Sequence, residues 1–159
     1  MLWTTNNTEQ SHINPGLPSL AWAQEVRERA SSIGFQHKSW QEAKRRLNDE
    51  LDELAHALHE DTSVENRTSH IEDEIGDVLF CLANLATLCG IDADYALSKC
   101  IVKFSRRFEV LERIVVDRHG VDSIDDKPVS MDVLQEYWCQ AKKECGESCG
   151  TPYRSILTI

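Results

Sequence analysis

Leu47-Asn48-Asp49-Glu50-Leu51-Asp52-Glu53-Leu54 and Ile71-Glu72-Asp73-Glu74-Ile75-Gly76-Asp77-Val78 share one design, apolar residues at helical spacing around two carboxylates three positions apart. Residues i and i+3 lie on nearly the same face of an α-helix. Each segment therefore presents an adjacent acidic pair, Glu50 with Glu53 and Glu74 with Asp77. Adjacent carboxylates repel, and a hard divalent cation with its preference for oxygen ligands is the compensation such a pair invites.

Working outward, Ser39-Trp40-Gln41-Glu42 reads as a capping box opening the first acidic helix. Its stripe is Leu47, Leu51, Leu54, Ala55 and Leu58, ending near Glu60. Ser69-His70-Ile71-Glu72 repeats the box, and Ile71, Ile75, Val78, Leu79, Leu82, Leu85 and Ala86 carry the second acidic helix to a stop at Gly90. The polar connector 61–68 between them is short, so the two helices are expected as antiparallel neighbours.

The flanking chain is helical in period too. Ser19 reads as the N-cap of an earlier helix with Ala23, Val26, Ala30 and Ile33 on one face and Gly34 as its stop. Asp92 caps a later one with Leu97, Ile101, Phe104, Phe108, Leu111 and Val115, ending near Gly120. Past an acidic loop over 121–129, Ser130 opens a last helix with Met131, Leu134, Trp138 and Ala141. No stretch alternates in the manner of a strand, so an all-α bundle of about five helices is expected. A flexible arm over 1–16, a helical domain over 17–143 and a tail over 144–159 complete the organisation.

Helical geometry sharpens the acidic motif. At about 100° per residue, Glu50 and Glu53 fall near 300° and 240° from Leu47, and Glu74 and Asp77 fall at about the same two angles from Ile71. Equal offsets on antiparallel helices point to one side of the pair. Glu53 and Asp77 also lie at matching heights, each about 10 Å from the connecting loop. All four are thus expected to border one groove, where unpaired they would raise each other's pKa. The alternative is a solvated helix edge. Oxygen-only ligation favours Mg²⁺, or Mn²⁺, over Zn²⁺, and Mg²⁺ completes its shell with water and substrate phosphates.

Composition bounds the partners. In 159 residues with a net charge of −10, no basic face for duplex nucleic acid is expected. A metal-bridged phosphate can still sit on an acidic site, because the cation reverses the local sign. No apolar run approaches the roughly 20 residues that span a bilayer and no signal peptide is visible, so a cytoplasmic setting is expected. Cys81, Cys89 and Cys100 lie in apolar periodic segments and read as free thiols, whereas Cys145 and Cys149 could pair or bind metal. There is no P-loop, dinucleotide fingerprint or nucleophile elbow.

Lys103 and Arg107 lie one turn apart on one flank of the later helix. They read either as ligands of phosphate oxygens or as ion-pair partners of the acidic groove. Trp138 and Lys142 are also one turn apart, and Trp138 reads as core or as a base-stacking platform. His56, His59 and His70 read as surface histidines or, less simply, as zinc ligands.

Taken together, Ile33-Gly34-Phe35, Glu50-x-x-Glu53, Glu74-Ile75-Gly76-Asp77-Val78-Leu79-Phe80, Asn84-Leu85-Ala86, Lys103-Phe104-Ser105-Arg106-Arg107-Phe108 and Trp138 with Lys142 resemble the MazG-type all-α nucleoside triphosphate pyrophosphohydrolases. The likeness covers roughly Leu17 to Lys143 and is to the C-terminal domain of two-domain bacterial MazG proteins. It implies cleavage of a nucleoside triphosphate between the α and β phosphates, with Mg²⁺ on Glu50, Glu53, Glu74 and Asp77. It also implies homo-oligomers, phosphate contacts from Lys103 and Arg107, and a nucleotide near Trp138 and Lys142. Asp49 stands where a glutamate is common and Arg46 where a lysine is common. Asp49 and Glu53 are the expected proton acceptors, and Arg46 joins the substrate-binding set. Narrower enzymes for dUTP, dCTP or phosphoribosyl-ATP, and a non-catalytic nucleotide-sensing module, share this framework.

Overall fold

The computed structural model describes residues 16–60, 63–120 and 129–146. Among them are five α-helices and no strand: α1 (Ser19–Ser32), α2 (Trp40–His59), α3 (Val64–Leu88), α4 (Ala93–His119) and α5 (Met131–Glu144). Residues 1–15 of the expected arm, most of the 121–129 loop and most of the expected tail lie outside the described residues. The helices form two compact units, one through Ala96 and one from Leu97 onward.

In the first unit, the start of α2 follows its sequence. Ser39 Oγ accepts from the Glu42 N–H at 3.3 Å. The returning carboxylate of Glu42 accepts from the Lys38 N–H at 2.7 Å, one residue before the position a capping box would use. Asp92 Oδ1 accepts from the Tyr95 N–H at 2.8 Å and opens α4 as expected. Pro18, not Ser19, is the N-cap residue of α1, and Ile33 is its C-cap. Gly34 and Gly90 then take φ of 88° and 67°, the left-handed conformation that ends a helix cheaply only at glycine.

The start of α3 differs from the sequence expectation. Ser63, not Ser69, is its N-cap, accepting from the Asn66 N–H at 3.4 Å. Two local bonding patterns competed here, each with a serine at its head. The earlier one prevails, adding the segment from Val64 to the helix, and Thr68 Oγ1 donates back to the Val64 carbonyl at 2.9 Å.

α2 and α3 pair closely, and α1 lies against α3. Glu60 meets His70 near the connector while Glu50 meets Glu74 farther from it, the nesting that an antiparallel pair requires. On α2 the buried positions are Ala43, Glu50 and Ala57, seven apart, with Leu47 and Leu54 partly buried between them. This is a heptad-like seam. α3 answers with Glu74, Cys81, Ala83 and Asn84. The leucine stripes are therefore not the contact line. Leu51, Leu58, Ile75, Leu79 and Leu82 are all exposed by 44% or more, and two acidic residues occupy the seam instead.

α1 is tied down by polar contacts with α3 and the start of α4. Gln24 donates to the Ile91 carbonyl at 2.8 Å and accepts from the Ala93 N–H at 2.9 Å, and Asp94 accepts from the Ala21 N–H at 2.6 Å. Between α1 and α3 lies an apolar cavity of about 470 Å³ lined by residues such as Trp22, Val26, Gly76, Leu79 and Phe80.

The second unit holds its own core of Leu111, Ile114, Val115 and Tyr137, with Val110, Val133, Leu134 and Trp138 packed against it. Arg113 Nη2 reaches Glu144 at 2.6 Å and Arg118 donates to Gln140 at 3.0 Å, tying α4 to α5. Cys81, Cys89, Cys100 and Cys145 are free, Cys139 is disulfide-bonded, and Cys149 lies outside the described residues.

Candidate functional site

The α2–α3 seam brings together Glu50, Glu74 and Asp77, which each place a carboxylate oxygen within 4.8 Å of the other two. Heptad spacing explains why. Glu50 replaces an apolar seam residue between Ala43 and Ala57, and Glu74 does so one heptad before Cys81. Asp77 follows Glu74 by one turn and remains exposed.

Glu50 and Glu74 are only 3% and 9% exposed. The Oε2 atom of each is buried and has no hydrogen-bond partner among the described residues. Buried carboxylate oxygens are normally satisfied, since removing their hydration costs several kcal/mol. Here the two orphaned acceptors belong to a close trio of like charges. Burial pushes the Glu50 carboxyl above its usual range, opposed by Arg46 and reinforced by Glu53, Asp77 and Glu74. An oxygen-liganded divalent cation would satisfy both orphaned atoms and cancel the repulsion, so this donor set fits a hard metal ion.

Glu53 lies outside the trio. Its side chain is 51% exposed and its Oε1 is 3.6 Å from Arg46 Nη1, while Arg46 Nη2 pairs with Glu50. One guanidinium thus spans the carboxylates of the ExxE motif. Asp49 is exposed on the preceding position.

His70 takes a part that surface position alone would not suggest. Its Nδ1 lies 2.9 Å from Glu60 Oε2 and its Nε2 lies 3.1 Å from Glu74 Oε1. A protonated imidazole donates from both nitrogens. The hydrogen bond that His70 donates to Glu60 raises the His70 pKa most, burial opposes it, and the charges of Glu60 and Glu74 add to the rise. The i, i+4 relation of His70 to Glu74 is legible in sequence; its tie to Glu60 depends on how the connector closes. His56 and His59 are exposed, and no histidine joins a metal-ligand cluster among the described residues.

The second residue that sequence reasoning passed over is Arg27 of α1. Its Nε donates to Asn84 Oδ1 at 2.9 Å, and its guanidinium carbon lies 5.9 Å from the Phe35 ring centroid and 5.8 Å from that of Phe80. No local signal marks it, because the contact exists only once α1 docks on α3.

In the second unit, Phe104 and Trp138 meet at a centroid distance of 5.0 Å, and the Arg107 guanidinium carbon is 5.9 Å from the Trp138 ring. Trp138 is partly buried against the α4–α5 core, Lys142 is half-buried and Lys103 is exposed.

Residues 38–111 match the family model described as the MazG nucleotide pyrophosphohydrolase domain. The chain is 32% identical over 130 residues to the nucleoside triphosphate pyrophosphohydrolase/pyrophosphatase MazG of Thermotoga maritima, covering 82% of this chain and 46% of that protein. It is 32% identical over 132 residues to the nucleoside triphosphate pyrophosphohydrolase of Escherichia coli K12, covering 83% of this chain and 48% of that protein. The chain spans about half the length of these curated relatives. A shorter match, 32% over 74 residues and 14% of the relative, is to the uncharacterized protein YabN of Bacillus subtilis.

Proposed function

We propose that this chain, whose residues 38–111 match the family model of the MazG nucleotide pyrophosphohydrolase domain, hydrolyses nucleoside triphosphates between the α and β phosphates, releasing the monophosphate and pyrophosphate. The observation that carries this reading is the pair of orphaned buried oxygens on Glu50 and Glu74, beside Asp77 in one cluster. Neither a core nor a solvated edge accounts for them.

Glu50, Glu74 and Asp77 hold Mg²⁺, with Mn²⁺ as a substitute, and Glu53 completes the acidic set from its exposed side. Bound there, the ion supplies Lewis-acid polarisation of phosphate oxygens and neutralises their charge. Arg46 keeps the Glu50 and Glu53 carboxylates in place and joins the substrate-binding residues. Glu53 or Asp49, both exposed and outside the trio, takes the proton from the attacking water. Lys103 and Arg107 bind phosphate oxygens, Arg107 with its fork of donors. Trp138 and Lys142 lie near the nucleotide.

A second copy of the chain is the partner that the exposed apolar residues of α2 and α3 support. Burying Leu51, Leu58, Ile75, Leu79 and Leu82 against water-excluding neighbours gives the driving force for association. No single helix among the described residues is long and apolar enough to cross a membrane.

The deciding experiment is pyrophosphate release across canonical and damaged triphosphates, with and without Mg²⁺. Metal-dependent release that Glu50→Gln and Asp77→Asn abolish is expected. Wild-type release by either variant on every triphosphate tried overturns the reading. The same panel distinguishes a general enzyme from one confined to dUTP or dCTP.

A further inference from the structure

Arg27, half-buried on α1, is oriented by three contacts. Its Nε is committed to Asn84, itself only 6% exposed, and its guanidinium carbon approaches the rings of both Phe35 and Phe80. Among the described residues no carboxylate lies within ion-pair distance of it. The Nη donors are therefore not spent on a carboxylate, although the chain carries 27 acidic residues against 17 basic ones. Its guanidinium, oriented by Asn84 and two aromatic rings, therefore keeps donors that can meet an anion.

Its anchor lies in line with the carboxylate site. Asn84 follows Asp77 by seven residues, two turns along the same face of α3 and about 10 Å farther on. Cys81 sits between them, buried. Burial raises the Cys81 thiol most; Glu50 and Asp77 raise it further, while Arg46 and Arg27 lower it, so both ends of this lane act on one thiol. The face thus runs from a trio that demands positive charge to a cation available to negative charge.

We propose that Arg27 is a further substrate-binding residue, its Nη donors holding phosphate oxygens of the triphosphate chain while Asn84 and the rings of Phe35 and Phe80 fix its orientation. A guanidinium already ordered loses little side-chain freedom when an anion arrives, and its fork suits two phosphate oxygens. Asn84 is a positioning residue here. The proposal rests on the pyrophosphohydrolase reading, which supplies the phosphate chain.

Calorimetric titration of the full chain in Mg²⁺ with inorganic pyrophosphate, and with non-hydrolysable triphosphate analogues of several bases, tests it. Arg27→Ala is expected to weaken pyrophosphate and every analogue alike by about 10- to 100-fold, with binding of Mg²⁺ alone unchanged. Arg27→Lys, which keeps the charge but not the fork or the Asn84 bond, is expected to fall between them and serves where the alanine variant does not fold. Unchanged pyrophosphate binding by folded variants overturns the proposal, whether or not their melting temperature falls. A loss confined to one base with pyrophosphate binding intact also overturns it, since that marks a base-reading role. If the wild-type chain binds neither pyrophosphate nor any analogue, the underlying reading fails and this inference with it.

Discussion

Glu50 shows how one side chain can be wrong for a fold and right for a site. It is a buried acid with an orphaned oxygen, partly offset by Arg46. Its ionisation is disfavoured in the folded state relative to the ordinary value of 4.5. For an acid whose folded pKa is raised, the unfolded chain ionises first, so stability falls as pH rises from the ordinary value through the raised one. Glu50→Gln removes that penalty. Its melting temperature in chelator is expected to match or exceed that of wild type, by a margin that grows as pH rises through this range. Its melting temperature should not respond to Mg²⁺, whereas that of wild type should rise. Thermal denaturation with and without metal, over a pH series, checks both parts.

His70 acts one bond farther out. It fixes Glu74 Oε1 and leaves Oε2 of the same carboxylate open. Partners that orient metal ligands typically matter by 10- to 100-fold in affinity. His70→Ala is expected to weaken Mn²⁺ binding by at least about 10-fold in calorimetry, while the helical circular dichroism stays that of wild type. An unchanged affinity would reduce the His70 contact to a surface ion pair.

At the scale of elements, α3 does the most. It carries Glu74 and the Asn84 anchor on its buried side, with the exposed Asp77 and the His70 tie beside them, and exposes Ile75, Leu79 and Leu82 elsewhere. Gly76 interrupts it, although a β-carbon there would meet nothing within 4 Å. Mid-helix glycine costs about 1 kcal/mol relative to alanine. Gly76→Ala should therefore stabilise the isolated chain by roughly 0.5–1 kcal/mol in urea denaturation. Loss of turnover in a variant so stabilised would mean that substrate or a second copy approaches the α3 backbone at this point. The capping of α3 makes a related point. Ser63 and Ser69 both head plausible first turns, and nothing in the local sequence ranks them; the earlier start adds residues 64–69 to the helix, while His70 lies one turn from Glu74 with either.

For the whole molecule, the exposed apolar side chains bear on self-association. Six large aliphatic side chains on α2 and α3, Val64 among them, are at least 44% exposed. Covering them is worth on the order of 25 cal/mol for each Å² removed from water. Leu79→Glu is expected to shift the chain toward monomer in light scattering coupled to size exclusion, with little loss of helical signal. A monomeric wild type would refute the self-association reading outright.

The sequence by itself determined the number and order of the helices, the α2–α3 pairing and the identity of the acidic residues, because period and carboxylate spacing are local properties written in neighbouring residues, whereas the starts of α1 and α3 fell at Pro18 and Ser63 and not at the serines read from sequence. It also carried the resemblance that the family match over 38–111 bears out. Which face of each helix turns inward was decided only by tertiary structure. Angular averaging treats every apolar residue as core, and so it placed Glu50 and Glu74 on a flank. The close approach of α2 to α3 instead selects the small seam residues Ala43 and Ala57, which draws the intervening Glu50 inside and turns half of the leucines outward. Arg27 belongs to the same class of fact. Its partners, Asn84 and Phe80, lie on another helix, and only the docking of α1 on α3 brings a cation to the far end of the lane that begins at the carboxylates.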